Sequence, residues 1–477
     1  MQYRFPTLRK LGLLLGDIAG TAFALYVAVG LIYIAKPAEI TVALYYGMMP
    51  LNIILIGVLF NVYGLFTLAK KRYGEIFIGV FLSVLYSLVI MMAISFYVRE
   101  FSYARSILLL TAFFELVFLN VWQYTMWRVE QIIMEPQHIL IIGDASECKR
   151  IVHRFGNQPQ LRCRAGRVSV DSGEEDEWKD IIYSVDLVLI CINLSLKKKA
   201  EIVEFCQQMD KQVLLLPTLY ELFCSGLEID KIDDIPFFRP QYLKPSLERR
   251  SLKRMMDILL SVPALLFASF IMVPMAIAIK LDSCGPIFYK QIRTGRYEQP
   301  FAIYKFRSMC VNAEQNSGPV LASASDERIT RVGRFMRCTR IDELPQLINV
   351  LKGDMSLVGP RPERPFFVEQ FKKEMSEYVY RHNVKPGITG MAQVYGKYNT
   401  TVYDKLIYDL MYIQKCDVFT DMVIMIQTIR VLFMKESTEG VAVPAPTAVT
   451  AEDGYLSTKL MNAEATTKRS DEGAEKI

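Results

Sequence analysis

Residues 340–351 read Arg-Ile-Asp-Glu-Leu-Pro-Gln-Leu-Ile-Asn-Val-Leu, with two adjacent acids, Asp342 and Glu343, near the head of the run. Cations surround the pair in the sequence. Arginine recurs at every third place at Arg328, Arg331, Arg334, Arg337 and Arg340. Lys305 and Arg307 sit in Tyr304-Lys305-Phe306-Arg307-Ser308-Met309, and Gly359-Pro360-Arg361-Pro362-Glu363 follows. Guanidinium forks and ammonium point charges bind phosphate. One carboxylate as nucleophile and a second as metal ligand, ringed by Arg and Lys, suit phosphoryl transfer from a pyrophosphate donor. The plainer reading of adjacent acids at a helix start is capping. The plainer reading of the arginines is a solvated or lipid-headgroup face, since a helix turns residues three apart around its axis and not all can meet one ligand. Imidazole chemistry has little support. The three histidines are scattered, and the nine cysteines include no CxxC pair, so they read as reduced cytoplasmic thiols.

The elements that must position these residues are legible in part. Leu344, Leu347, Ile348 and Leu351 recur at helical spacing. Pro345 is tolerated in a first turn, which places Asp342 near the N-cap and Glu343 at the first helical position. Upstream, Gly285-Pro286-Ile287-Phe288-Tyr289-Lys290-Gln291 leads to Arg293 and Gly295. Residues 257–281 are apolar and long enough to span a bilayer, yet basic residues flank both ends: Arg249, Arg250, Lys253 and Arg254 before, Lys280, Lys290, Arg293 and Arg296 after. A span would carry one cluster to the far side. A re-entrant helix broken near Pro263 or Pro274 returns both to the same face, and is favoured over a further span.

The remainder implies a membrane protein. Of 477 residues, 52% are hydrophobic and 22% charged, unevenly spread, which excludes a purely soluble globular chain, a collagen and a wholly disordered one. A net charge of +5 is too mild to argue for nucleic acid. Apolar stretches at 11–34, 46–68, 76–98 and 107–127 predict a four-helix transmembrane bundle over 1–130, and no cleavage site follows the first. Arg4, Arg9, Lys10, Lys70, Lys71, Arg72 and Arg128 outnumber Lys36, Arg99 and Arg105 on the opposite flank, which puts both ends of the bundle in the cytoplasm. Asp17 lies within the first span, as a functional carboxylate or one paired inside the bundle; otherwise the bundle offers few polar residues to line a path. Buried strands at 138–142, 185–192 and 212–216, with an amphipathic helix at 198–209, predict a cytoplasmic α/β, Rossmann-like domain over 136–245. Its first turn, Gly143-Asp144-Ala145-Ser146-Glu147, has one glycine beside an acid where a dinucleotide turn needs several, so a regulatory or assembly role is preferred to cofactor binding. Residues 402–416 and 418–434 are amphipathic, and 436–477 reads as a disordered tail.

KRMMD, GPIFYKQIRTG, YKFRSM, RITRVGRFMR, IDELPQLINVLKGDMSLVGPRPE and KPGITGMAQVYG occur in that order between 253 and 434. This stretch resembles the bacterial sugar transferases, the monotopic-type polyprenyl-phosphate phosphoglycosyl transferases. With the upstream bundle and α/β domain, the chain resembles their large members, which initiate exopolysaccharide, capsule or O-antigen repeats. The resemblance implies a catalytic domain over 250–435, α-rich and membrane-associated, at the cytoplasmic face of the bacterial inner membrane. It implies that Asp342 attacks the β-phosphorus of a UDP-sugar and releases UMP. Undecaprenyl phosphate then takes the phosphosugar from Asp342. By the same resemblance Glu343 helps hold Mg²⁺, Pro360, Arg361 and Pro362 shape the phosphate and nucleotide site, Lys305, Arg307 and Arg340 supply cations, and a homodimer is expected. Glucose or galactose is the expected sugar, with an N-acetylhexosamine-specific homologue or a non-catalytic scaffold as alternatives. One departure stands out: Phe270 occupies the place where family members carry the proline of a Ser-Pro break, although Ser269 is present. Tyr395 is a smaller one, where AQVNG is usual.

Overall fold

The computed structural model describes residues 6–35, 42–69, 71–97, 105–133, 137–156, 163–169, 177–224, 228–232, 235–239, 243–310, 328–396 and 400–433. The expected tail at 436–477 lies outside them. The chain divides into two units, the first ending at Thr218 and the second beginning at Leu219.

Continuous apolar runs make the first unit's leading elements α1 (Pro6–Ala35), α2 (Val42–Val62), α3 (Tyr73–Tyr97) and α4 (Arg105–Ile133), with Pro50 inside α2. Arg9–Ala35, Tyr73–Tyr97 and Ser106–Ile133 are long and apolar enough to cross a membrane, while Tyr46–Val62 is shorter. Apolar side chains such as Phe23, Ile54, Phe113 and Val121 point outward. Asp17, Asn52, Ser87, Glu115 and Gln123 are buried between helices, an arrangement suited to hydrocarbon surroundings. The interior is thus more polar than the sequence led us to expect. Gln123 Nε2 donates to Asp17 Oδ1 at 2.8 Å, so Asp17 is paired inside the bundle. The predicted helix at 46–68 stops at Val62. Gly64 takes a left-handed φ of 63°, and Lys71 Nζ donates to the freed carbonyls of Tyr63 and Gly64. Leu65 and Leu68 then turn inward and are buried.

A four-stranded parallel sheet follows, ordered β2-β1-β3-β4, from β1 (Gln137–Gly143), β2 (Cys163–Ser169), β3 (Leu187–Ile190) and β4 (Gln212–Leu215). Helices α5 (Ala145–Gly156), α6 (Glu177–Ser184) and α7 (Leu196–Gln208) connect them. The strands β1 and β3 are buried because each feeds both cores: Leu140, Ile142, Val188 and Ile190 meet Trp178 and Ile202, while Ile139, Ile141 and Leu189 meet Cys148 and Ile151. The strand β2, Cys-Arg-Ala-Gly-Arg-Val-Ser, has no apolar run and escaped sequence reading.

The second unit opens with α8 (Leu219–Cys224) and the hairpin β5 (Glu228–Ile232) and β6 (Ile235–Arg239). Leu222 and Leu243 belong to its core, with Val358, Val394, Leu406, Leu410 and Ile424, so the expected domain limit at 245 moves back to Thr218. The long α9 (Leu247–Asp282) starts ten residues before the apolar stretch and is helical throughout, with Pro263 and Pro274 inside it. Ser269 Oγ donates to the Leu266 carbonyl at 2.6 Å. Only 11% of the most apolar window of α9 is buried. Its base is tied down by polar contacts. Lys253 pairs with Asp421, Arg254 donates to the carbonyls of Val350 and Leu351, and Asp257 accepts from Ser356 Oγ and the Leu357 amide at 3.0 Å each.

Beyond α9, β7 (Phe288–Thr294) and β8 (Pro300–Phe306) form an antiparallel hairpin. Helices α10 (Arg331–Thr339) and α11 (Gln346–Lys352) precede β9 (Ser356–Val358), α12 (Pro365–Glu374) and β10 (Gly387–Thr389), and α13 (Met391–Tyr395), α14 (Val402–Lys415) and α15 (Val418–Leu432) close the unit. The strands β9 and β10 pair in parallel. A Cβ on Gly387 would lie 2.1 Å from the Gly359 nitrogen, so the approach of these strand ends requires glycine.

Candidate active site

The acidic pair does not begin a helix as the spacing predicts. Thr330 caps α10, accepting from the Gly333 amide at 3.0 Å. Arg340 then adopts a left-handed conformation, φ 59° and ψ 15°, and ends it. Ile341–Glu343 form a single 3-10 turn, and α11 begins only at Gln346, behind Pro345. Neither acid caps that helix. The plainer reading of the pair as caps therefore fails, and both carboxylates are left for other work.

Cations meet one of them. Glu343 Oε1 accepts from Lys305 Nζ at 2.9 Å and from Arg361 Nη2 at 3.0 Å. At an effective dielectric of about 20, one such contact is worth roughly 5 kcal/mol of attraction before desolvation is subtracted. Burial pushes Glu343 up, but Arg361, Lys305 and Arg340 outweigh it and hold the carboxyl well below the usual glutamate range. Asp342 goes the other way. Burial, then the charge of Glu343, raise it above the usual aspartate range against the pull of Lys305, Arg337 and Arg340. Its Oδ1 is buried and finds no hydrogen-bond partner among the described residues. Two neighbouring carboxylates are thus driven apart. One is a fixed, neutralised anion, and the other holds an unpaired, more basic oxygen, which suits a nucleophile.

Lys305 reaches this point from β8, and Arg361 from the loop after β9. Every carbonyl of Pro360-Arg361-Pro362 is held. Gly387 N–H donates to Pro360 at 2.9 Å, Arg381 Nη2 to Arg361 at 3.0 Å, and Arg293 Nη1 to Pro362 at 3.1 Å. Arg381 is itself buried and fixed by Asp409 Oδ2, at 3.1 Å from Nε and 2.8 Å from Nη2. Lys305, Glu343, Gln346, Arg361, Pro362 and Arg293 line a small cleft. No group of three metal-ligating side chains occurs among the described residues. Magnesium takes one or two carboxylates and completes its shell with water and substrate phosphates. The Glu343 carboxylate, whose hydrogen bonds to Lys305 and Arg361 both fall on Oε1, fits that donor set.

Sequence reading anticipated Asp342, Glu343, Lys305, Arg361 and Pro362, and the fold brings these together; Pro360 contributes its carbonyl beneath them. Arg340 turns the chain and bears on both carboxylates through its charge. Arg307 does not join. Its Nη1 donates to the Cys284 carbonyl and Nη2 to the carbonyl and hydroxyl of Ser283, clamping the end of α9. Its chain lies just past the end of β8, where the strand alternation that aims Lys305 no longer applies. Pro263, Ser269 and Pro274 all lie within α9. Arg381 and Asp409 were missed, since nothing local marks two residues that meet only through the fold.

Next to Arg381, burial and then the charges of Arg381 and Lys372 push His382 down to about 3. Folded His382 stays neutral while the unfolded chain protonates near 6.5. Stability is complete above that value and falls as pH drops toward 3, by up to about 1.4 kcal/mol per pH unit. Melting temperature followed against pH for wild type and His382→Gln is expected to show a flatter acid limb in the variant.

In the first unit, the end of β1 packs closely against the residue that follows β3. A Cβ on Gly143 would lie 2.3 Å from the Cys191 Cβ, so Cys191 fills the space above the turn at β1 and β3. Glu147 Oε2 takes the Asn193 amide at 3.4 Å.

Comparisons agree with this geometry. The bacterial sugar transferase family profile matches residues 248–435. A UDP-N-acetylgalactosamine-undecaprenyl-phosphate N-acetylgalactosaminephosphotransferase of Aeromonas hydrophila is 47% identical over 205 residues, 42% of this chain and 48% of that protein. A UDP-glucose:undecaprenyl-phosphate glucose-1-phosphate transferase of Escherichia coli (strain K12) is 34% identical over 313 residues, 61% of this chain and 66% of that protein. The chain thus spans about half the length of the first relative and just under two thirds of the second. A protein of the latter name from Caulobacter vibrioides is 41% identical over 186 residues, 37% of this chain and 68% of its own length. With the profile lying over the unit that holds Asp342, Glu343 and Arg361, the chain belongs to the bacterial sugar transferase family.

Proposed function

We propose that the protein transfers a hexose 1-phosphate from a UDP-sugar to undecaprenyl phosphate and so initiates a lipid-linked glycan such as an exopolysaccharide, capsule or O-antigen repeat. A carboxylate oxygen of Asp342 attacks the β-phosphorus. A bond to phosphorus forms as the bond to the bridging oxygen breaks, and UMP departs with that oxygen. An oxygen of undecaprenyl phosphate then attacks the same phosphorus, displacing Asp342 and giving the diphosphate-linked sugar. Arg361 and Lys305 neutralise phosphate charge while held by Glu343 and the pinned Pro360-Arg361-Pro362 backbone. Glu343 would help hold Mg²⁺, which supplies charge neutralisation on the leaving diphosphate oxygens when bound. The observation that carries this reading is the divergence of the acids: Asp342 with an unpaired buried oxygen, Glu343 clamped between Arg361 and Lys305.

The proposal places the chain in the bacterial inner membrane, catalytic unit toward the cytoplasm and α9 re-entrant. The parallel-sheet domain is read as Rossmann-like with its crevice lost to Cys191, serving assembly, and a homodimer is the expected state. Glucose or galactose is the favoured sugar. A second reading, an N-acetylhexosamine, has the Aeromonas relative in its favour. UMP release measured across a panel of UDP-sugars tests both. Turnover on UDP-glucose or UDP-galactose supports the first and selective turnover on an N-acetylhexosamine the second. No release from any would overturn the proposal. EDTA is expected to stop UMP release and added Mg²⁺ to restore it; turnover indifferent to chelation would remove the ion from the scheme.

Arg307→Lys separates clamp from ligand. Losing the forked contacts to Ser283 and Cys284 is expected to cost about 1–3 kcal/mol of stability. The KM for UDP-sugar should hold, and a raised KM with unchanged melting would return Arg307 to the binding site.

A further inference from the structure

Gln346 opens α11, three residues past Glu343, and lines the same cleft as Arg293, Lys305, Glu343 and Arg361. It is only 3% exposed, yet its carboxamide makes no hydrogen bond among the described residues. Burying an amide without a partner costs about 1–3 kcal/mol on mutational scales. Asn349, one turn further along α11, shows what a structural carboxamide does in this unit. It is fully buried; its Nδ2 donates to the Ala302 carbonyl at 2.8 Å and to Asp354 Oδ2 at 3.3 Å, and its Oδ1 accepts from the Tyr304 amide at 3.0 Å. Asn349 thus stitches α11 to β8. Gln346 stitches nothing, and its polar atoms are left to the cleft.

The charges of the cleft limit what those atoms can meet. Arg293, Lys305 and Arg361 already supply cations for a diphosphate. An ionised phosphate oxygen only accepts, so beside one the Gln346 carbonyl oxygen would set lone pair against lone pair. Gln346 Oε1 needs a donor and Nε2 an acceptor. A sugar offers both, through its hydroxyl or acetamido N–H groups and through its oxygens. In the proposed transfer the reacting phosphorus sits at Asp342 and carries the sugar through C1. The first hydrogen-bond donor beyond that phosphate is the substituent on C2. We infer, on the strength of that reaction, that Gln346 is a specificity-determining residue whose Oε1 accepts a hydrogen bond from the C2 hydroxyl or acetamido N–H of the donor sugar.

The test compares kcat/KM for UMP release by the full-length protein in detergent. The donors are UDP-glucose, UDP-galactose and UDP-N-acetylgalactosamine, each beside the 2-deoxy sugar nucleotide of its series. Wild type should prefer the C2-substituted donor by about threefold to tenfold, the scale of one hydrogen bond. Gln346→Met, close in length but without the carboxamide, should turn over both and lose that preference. UDP, which has no sugar, should inhibit wild type and variant equally. A merely structural role would lower turnover of both donors together and leave the preference intact, which overturns the inference. UDP inhibition weakened as much as turnover would place Gln346 on the diphosphate and overturn it too. A wild type indifferent to the C2 substituent overturns it without any variant. UMP released from none of the three C2-substituted donors would strike the transfer reaction itself, and this assignment with it.

Discussion

Asp342→Asn is expected to lower formation of butanol-extractable product from radiolabelled UDP-sugar by roughly four orders of magnitude or more, the scale of losing a covalent nucleophile. The amide is nearly isosteric, so folding should be preserved. Indeed, removing a buried carboxylate that is raised by its own surroundings relieves an electrostatic penalty, and the variant's melting temperature should hold or rise. That pairing of outcomes is the useful part. A collapsed fold would produce lost activity and lowered melting together, whereas the geometry requires the two to separate. Denatured wild type quenched during turnover should carry a phosphosugar on Asp342. Equal product from wild type and variant would refute the mechanism.

The second large effect lies behind the site. Asp409→Ala leaves Arg381 buried without its carboxylate, and breaking a buried pair in this way costs about 3–5 kcal/mol. Domain stabilities run only about 5–15 kcal/mol, so thermal unfolding should move by many degrees. The same change frees the Arg361 carbonyl, so surviving protein should lose phosphate affinity, seen as a higher KM for UDP-sugar. Replacing both partners with apolar residues, Arg381→Met with Asp409→Leu, should recover much of the stability, because no uncompensated charge remains. It should not recover the KM. Recovery of both would show that Arg381 does nothing for the loop it touches.

What could be read from the sequence follows from how local each cause is. Asp342 and Glu343 were legible because two adjacent acids stand out among arginines in the sequence, although the cations that reach Glu343, Lys305 and Arg361, come from 38 and 18 residues away. The buried strands β1 and β3 were legible because burial on both faces writes a continuous apolar run. The helix start at α11 was misplaced because a single backbone choice, the left-handed Arg340, inserted a 3-10 turn that apolar spacing does not record. Arg307 stands apart from the cluster for a similar reason: charge type gives no direction, and its guanidinium meets carbonyls at the end of α9. The pairings Arg381–Asp409 and Lys253–Asp421 exist only once distant segments pack, and no window of sequence contains both partners.

The base of α9 holds one further consequence. Lys253, Arg254 and Asp257 bolt the helix to α15, to the end of α11 and to β9, and α11 begins three residues after Glu343. The base of the apolar shaft and the reactive turn are therefore joined by a short path of polar contacts. If the shaft sits in lipid as proposed, its tilt would set the height of Asp342 relative to the headgroups. On the proposed function, a bilayer thick or thin enough to change that angle would alter the reach of Asp342 toward undecaprenyl phosphate while the contacts of the cleft stay as they are.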